Sequence, residues 1–259
     1  MKKKLLSLTI ALSVALGLVA CSGSGTADAE KTGASAENGT LVMATNAEFP
    51  PYEYHDGSDD QIVGIDAEIA TAIGEKLGYT IEIEDIAFDS IIPEVTSGKT
   101  DFGMAGMTAT EERKQSVSFS DSYTTAVQVV IVAEDSDIAS VDDLSGKLIG
   151  VQSGTTGDLY ATDDFGDSSV ERYSKGMEAV QALSQGKIDA VIIDNEPAKV
   201  FVQEIAGLKI LESAYAEEEY AIAVALENSE LLDKINSALA ELKADGTIDG
   251  IIAKYITTE

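Results

Sequence analysis

An α/β fold arranged as two open lobes is what the sequence predicts, and three observations carry that expectation. Short apolar runs alternate with stretches whose apolar residues recur at helical spacing, glycines close the helical stretches, and one helix-to-strand junction occurs twice. Folded structure is expected from Thr40 onward. Leu41-Val42-Met43-Ala44-Thr45 is a short apolar run between polar residues and reads as a buried strand, followed by a loop with Pro50-Pro51. Ile65, Ile69, Ala70, Ile73 and Leu77 share one helical face, and Gly78 supplies the left-handed residue that ends it. Residues 79–84 alternate as a strand does, residues 89–95 suit a short helix, and residues 102–105 suit another buried strand. This order favours βα units and a largely parallel sheet.

The recurring junction is Ser97-Gly98-Lys99-Thr100-Asp101-Phe102, matched by Gln185-Gly186-Lys187-Ile188-Asp189-Ala190. Each lies after a helix and before an apolar strand, so the chain builds one βα design twice. The glycine ends the helix, and the lysine meets the negative end of the helix dipole. The same Gly-Lys-x-Asp pattern also serves as common punctuation. In the second half, residues 127–132, 148–151 and 190–193 are the expected strands, with a short helix at 141–144. Leu231, Leu232, Ile235, Leu239 and Leu242 form an amphipathic stripe, Gly246 caps it, and Ile248, Ile251, Ile252 and Tyr255 make a last short helix. Open α/β lobes carry their loops at the carboxyl ends of their strands, so a cleft between lobes is the expected ligand site.

The amino terminus reads differently. Lys2, Lys3 and Lys4 precede an apolar run over residues 5–18, about 14 residues long, which suits a secretory signal and falls short of a bilayer span. Leu18-Val19-Ala20-Cys21 resembles the bacterial lipobox, which implies diacylation of Cys21 and removal of residues 1–20. Two acyl chains give stable anchoring where one gives only reversible binding. An ordinary signal peptide with an incidental cysteine is the alternative. Residues 22–39 hold no large apolar side chain, so residues 21–39 are expected to act as a flexible tether.

Cys21 is the only cysteine, which excludes disulfides and thiolate metal sites from the folded part. The whole chain carries a formal charge of -29, and cleavage would leave about 14 basic against 46 acidic residues. Such a surface disfavours nucleic acid, whose phosphates need basic patches.

Candidate site residues sit after the expected strands. Gly106 allows close approach of a ligand to the backbone, Thr108 offers a hydroxyl, and Thr110 can cap a short turn that presents Arg113. A guanidinium matches a carboxylate through two parallel hydrogen bonds. Composition alone would make Arg113 a surface charge beside Glu111 and Glu112. Asp194 emerges from Val191-Ile192-Ile193 and suits either an ammonium or the cap of the helix opened by Glu196-Pro197. Gln152-Ser153-Gly154-Thr155-Thr156-Gly157 offers amides and hydroxyls to an anion, or simply a turn.

These segments carry a resemblance. Thr45-Asn46-Ala47-Glu48-Phe49-Pro50-Pro51-Tyr52-Glu53-Tyr54, Val63-Gly64-Ile65-Asp66, Ile91-Ile92-Pro93, the first Gly-Lys-x-Asp junction and Thr110-Glu111-Glu112-Arg113 look like the family 3 solute-binding proteins. Phe119-Ser120-Asp121-Ser122-Tyr123, Gln152-Ser153-Gly154-Thr155 and Asp245-Gly246-Thr247-Ile248 extend the match over residues 40–257. The resemblance implies a periplasmic-binding-protein-like fold, with two open α/β lobes joined by two hinge strands, and a polar amino-acid receptor of an ABC importer. Lobe one would be residues 40–124 plus 220–259 and lobe two residues 126–216, with crossings at residues 123–127 and Ala216–Tyr220. Carried over, Arg113 would hold the ligand carboxylate with Thr108 and Thr156, and Asp194 would hold the ammonium with the Gly106 carbonyl. Phe49 and Phe88 would wall the ligand side chain. Asn46 stands where relatives that bind basic or amide side chains often carry Asp, and Gln152 would face the same end. The expected order is therefore a neutral polar ligand such as glutamine, then a basic one, then an acidic one. The resemblance further implies permease subunits as partners, a monomer, a lipid-anchored extracytoplasmic location, and no cofactor.

Other readings are a dehydratase of the cyclohexadienyl type on the same fold and a ligand-sensing surface lipoprotein. General acid-base chemistry would rest on the lone His55 beside the Asp56-Gly57 turn, a weak basis for an enzyme. Asp59-Asp60 and Asp163-Asp164-Phe165-Gly166-Asp167 lack calcium-loop spacing and read as solvated turns.

Overall fold

The computed structural model describes residues 38–57 and 61–256. The signal peptide, Cys21, most of the tether and Asp59-Asp60 lie outside the described residues. The first sheet grows from β1 (Thr40–Thr45), which pairs in parallel with β5 (Thr80–Asp85) and with β6 (Phe102–Gly103). The short β2 (Glu48–Phe49), β3 (Glu53–His55) and β4 (Ile62–Val63) form a small antiparallel sheet of their own. They lead into helix α1 (Ile65–Leu77), whose Ile65, Ile69 and Ile73 are buried, and Gly78 closes it at a left-handed φ of 74°. Helix α2 (Ile91–Ser97) follows a 3-10 turn at Phe88–Ser90. Strand β7 (Val117–Phe119) completes the first stretch of this lobe.

The chain then crosses to a second sheet through β8 (Thr124–Ala133), a ten-residue strand that begins three residues before the apolar run over 127–132. That sheet adds β9 (Ile149–Gln152), helix α3 (Thr156–Phe165), β10 (Val170–Tyr173), helix α4 (Gly176–Ser184), β11 (Ala190–Asp194), helix α5 (Asn195–Glu204) and β12 (Leu208–Ile210). The return runs along β13 (Ala216–Tyr220) to β14 (Ala223–Ala225), which sits in the first sheet between β6 and β7. Helices α6 (Ser229–Ala244) and α7 (Thr247–Tyr255) pack on α1. The strand orders are β5-β1-β6-β14-β7 and β10-β9-β11-β8-β12, with β13 added to β8.

The sheets are mixed and not largely parallel. Strand β8 runs antiparallel to β11, β12 and β13, and β14 runs antiparallel to β6 and β7, because the strands that cross between lobes must run both ways. Strand β6 is also shorter than the 102–105 expected; after Gly103 the chain leaves the sheet toward the cleft.

The repeated junction has one physical job in both lobes. Gly98 and Gly186 take left-handed φ values of 70° and 65° after their helices. Asp101 Oδ2 then accepts the Val42 amide (2.7 Å), and Asp189 Oδ2 accepts the Leu148 amide (2.8 Å). Each carboxylate satisfies a backbone donor within or just before a neighbouring strand, Val42 in β1 and Leu148 ahead of β9. The α6 stripe of Leu231, Ile235, Leu239 and Leu242 is buried against α1, and each such side chain contributes about 1.5–3 kcal/mol by leaving water.

Candidate functional site

The cleft lies where loops of both sheets face each other. On the first side, the chain leaving β6 bends at Gly106, whose φ is +53°, and a Cβ there would lie 3.0 Å from the Phe49 ring. The Gly106 amide donates to Asp66 Oδ2 (2.8 Å), which also accepts the Tyr123 hydroxyl (2.8 Å). Thr110 Oγ1 accepts the Arg113 amide (3.2 Å), which ties the first residue of the 3-10 turn at Arg113–Gln115 back to the preceding loop. Arg113 is only 8% exposed, which removes the surface-charge reading. Its Nη1 donates to the Thr108 carbonyl (2.7 Å), its Nη2 donates to the Gly154 carbonyl of the facing lobe (3.0 Å), and its Cζ lies 5.3 Å from the Phe88 ring centre. Burial works against its charge, while the carboxylate of Glu218 favours it.

On the second side, Asp194 ends β11 at the cap position of α5 without bonding to the helix amides through its side chain. Its Oδ2 accepts Gln128 Nε2 (2.6 Å) and its Oδ1 accepts the Tyr220 hydroxyl. It is 7% exposed, and burial first, then the charge of Glu218, push its carboxyl up to about 7. A carboxylate held out of water beside other carboxylates gains most from a cationic partner. Gln152 ends β9, and its Nε2 donates to Asn46 Oδ1 across the cleft (2.8 Å); Asn46 Nδ2 donates to the Ile86 carbonyl (2.9 Å). Thr155 caps α3 by accepting the Asp158 amide (3.3 Å), which sets Thr156 at the first helical position. Lys175 and Glu48 add an ion pair from lobe to lobe.

Eight of the nine expected ligand residues meet around one cavity: Asn46, Phe49, Phe88, Gly106, Arg113, Gln152, Thr156 and Asp194. The free space there, counted out to solvent, is about 320 Å³. Thr108 does not line it. Its carbonyl holds Arg113 and its hydroxyl donates to Glu218 Oε2 (3.1 Å), so it supports the cavity from behind. His55 lies outside the lining, where its Nε2 meets Asp85 Oδ2 at 3.0 Å.

The model of the bacterial extracellular solute-binding proteins, family 3, matches residues 41–258. The chain belongs to that family. This family 3 protein is 34% identical over 262 residues to the arginine-binding extracellular protein ArtP of Bacillus subtilis, with 99% of each chain covered. It is 32% identical over 265 residues to a probable histidine-binding protein of Neisseria gonorrhoeae, covering 99% of this chain and 97% of that one. Among solved structures, an ancestral arginine-binding protein bound to glutamine superposes with a TM-score of 0.80 at 43% identity, covering 85% of this chain and 98% of that one.

Sequence reasoning on this solute-binding protein missed Glu53 and Ala105, which line the cavity together with Thr155 of the 152–157 segment. Glu53 is 1% exposed, and burial together with Asp66 pushes its carboxyl well above the usual range. Its alternation in β3 points it inward, yet a single glutamate beside Tyr52 and Tyr54 carries no signal of burial in the sequence. Behind the cavity, Gln128, Glu218 and Tyr220 join Asp194 in a buried polar network, also unmarked in the sequence.

Proposed function

We propose that this solute-binding protein is the extracytoplasmic receptor of an ABC importer and that it captures a polar L-amino acid between its lobes, preferring a basic side chain. The observation that carries this reading is the pairing of Arg113 from one lobe and Asp194 from the other on a single buried cavity. An α-amino acid bears a carboxylate and an ammonium on one carbon, so each finds an opposite charge on a different lobe. Bound in this way, the ligand favours closure by its differential affinity for the closed state. The backbone amide of Thr156 at the start of α3 supports the carboxylate, the Gly106 carbonyl supports the ammonium, and the Phe49 and Phe88 rings flank the side chain.

The side-chain preference follows from charge. Glu53 and Asp194 place two carboxyl groups in the lining, and although burial holds both above the usual range, a cationic side chain draws them into their ionised forms in a way that a neutral one does not. Asn46 and Gln152 bond to each other, so they offer a ligand amide less than two free amides would. A basic ligand therefore ranks above glutamine, the reverse of the expectation from Asn46 and Gln152 alone. The names of the arginine- and histidine-binding relatives support this ranking, and the glutamine-bound ancestral protein supports a neutral amide as the second reading. Those relatives are named for binding, which favours a receptor over a dehydratase.

A thermal-shift screen of the twenty amino acids, followed by calorimetry, tests the reading. Arginine, lysine or histidine is expected to raise the melting temperature most, by mass action. No shift with any amino acid would overturn it. Lipid attachment at Cys21 belongs to the same proposal, and Cys21→Ala is expected to move the protein from the membrane fraction to the soluble one.

A further inference from the structure

Glu218 lies on β13, one of the two strands along which the chain passes between the sheets, and its side chain is buried. Three donors converge on its Oε2: Thr108 Oγ1 at 3.1 Å, Thr156 Oγ1 at 3.0 Å and Gln128 Nε2 at 3.1 Å. They come from three separate parts of the molecule. Thr108 belongs to the first lobe, Thr156 opens α3 in the second, and Gln128 sits on β8, the other crossing strand. A hydroxyl has one proton, so both threonines commit theirs to this oxygen.

We propose that Glu218 is a positioning residue that holds the lobes together by gathering one hydroxyl from each of them, and so sets how long a ligand remains bound. The part concerning ligand residence rests on the amino-acid reading above; the part concerning the lobes does not. When the lobes part, Thr108 and Thr156 separate, and an oxygen on the strand between them keeps at most one. Opening therefore breaks a hydrogen bond to a carboxylate, which is stronger than one between neutral groups. This cost falls on the open state alone, and a difference between states is what shifts a two-state equilibrium. Glu218 does not line the cavity, so its effect reaches the ligand through Thr156 and through lobe position.

Two measurements on the full chain test this. Stopped-flow kinetics with L-arginine are expected to give about a tenfold faster dissociation for Glu218→Ala with an unchanged association rate, since interface changes act mostly on dissociation. Glu218→Gln, which keeps an acceptor oxygen in place, is expected to recover most of the loss. The second measurement needs no ligand: the distance between spin labels at the exposed positions Lys99→Cys and Lys187→Cys, in a Cys21→Ala background, is expected to shift toward open separations in Glu218→Ala. Thr108→Val removes only the first-lobe donor, leaves the cavity lining intact, and is expected to act in the same direction even if Glu218→Ala fails to fold. Wild-type dissociation rates and wild-type distances in Glu218→Ala and Thr108→Val would overturn the proposal. So would a matching fall in association rate, which marks simple loss of structure. If wild-type protein binds no amino acid, the functional reading fails, and the label distances still decide the role of Glu218.

Discussion

In the first lobe Asp101 accepts the amide of Val42, and in the second Asp189 accepts the amide of Leu148, each after a left-handed glycine that ends a helix. The frameworks of the two lobes are thus closed by the same device. Their facing ends are not alike. The first lobe presents a guanidinium, two phenyl rings and the buried Glu53, whereas the second presents Asp194, the amide of Gln152 and the start of α3. The repeated sequence pattern serves the scaffold, while the chemistry is divided, so that one lobe alone offers only part of the charge complement.

The two lobes differ most in the charge that each brings to the cavity. Arg113→Ala and Asp194→Ala are each expected to weaken amino-acid binding by at least about 30-fold, since losing one partner of a buried charge pair costs about 2–5 kcal/mol. Circular dichroism should show the fold retained in both. Near-normal affinity by calorimetry in either variant would mean that the lobes do not share the ligand in this way.

Glu53→Gln sharpens the contents of the first lobe. Affinity for arginine is expected to fall about tenfold while that for glutamine stays level, because burial keeps the Glu53 carboxyl protonated until a cation draws it into the ionised form, which a glutamine cannot take. Equal losses for both ligands would place Glu53 in the scaffold.

pH tests a buried carboxyl from each lobe. Burial holds the carboxyls of Asp194 and Asp66 up at about 7 and about 6, against 3.8 for an ordinary aspartate. The folded protein therefore keeps protons that the unfolded chain has released, and ligand-free stability falls as pH rises from about 4 to about 7. Ammonium binding at Asp194 requires its ionised form, so affinity moves the opposite way. It is expected to rise by up to about tenfold per pH unit below 7 and to level off above it. Thermal melts and calorimetry between pH 5 and 8 check both signs. Flat affinity would remove Asp194 from contact with the ammonium.

The smallest effect concerns the shared device. Asp101→Ala and Asp189→Ala are each expected to cost about 1 kcal/mol of stability in denaturant titrations without changing ligand affinity. The loss should be larger for Asp101, whose bond is part-buried, than for the exposed Asp189.

Much of this was legible in the chain, for identifiable reasons. The α1 stripe and its Gly78 end, the α6 stripe, and strands β1, β9 and β11 follow from periodicity and capping, which are local. Strand β8 reaches beyond its apolar run because its first residues, Thr124 and Thr125, are extended by pairing with β13, some 90 residues away along the chain. The bond between Thr110 and the Arg113 amide could be anticipated from the sequence. The burial of Arg113 could not, because the Gly154 carbonyl that holds it belongs to the other lobe.

Local sequence is enough to set the periods of the elements, the glycines that end them, the twofold use of the Asp junction, and the types of charge placed after the strands. Each depends on residues within a few positions of one another. Tertiary structure decided which carboxylates lose their water, that Asn46 and Gln152 satisfy each other, and that Thr108 turns away from the cavity toward Glu218. Those outcomes depend on partners about a hundred residues apart. Whether a polar group meets water, a ligand or another side chain is settled only when the two sheets bring distant segments to the same cleft.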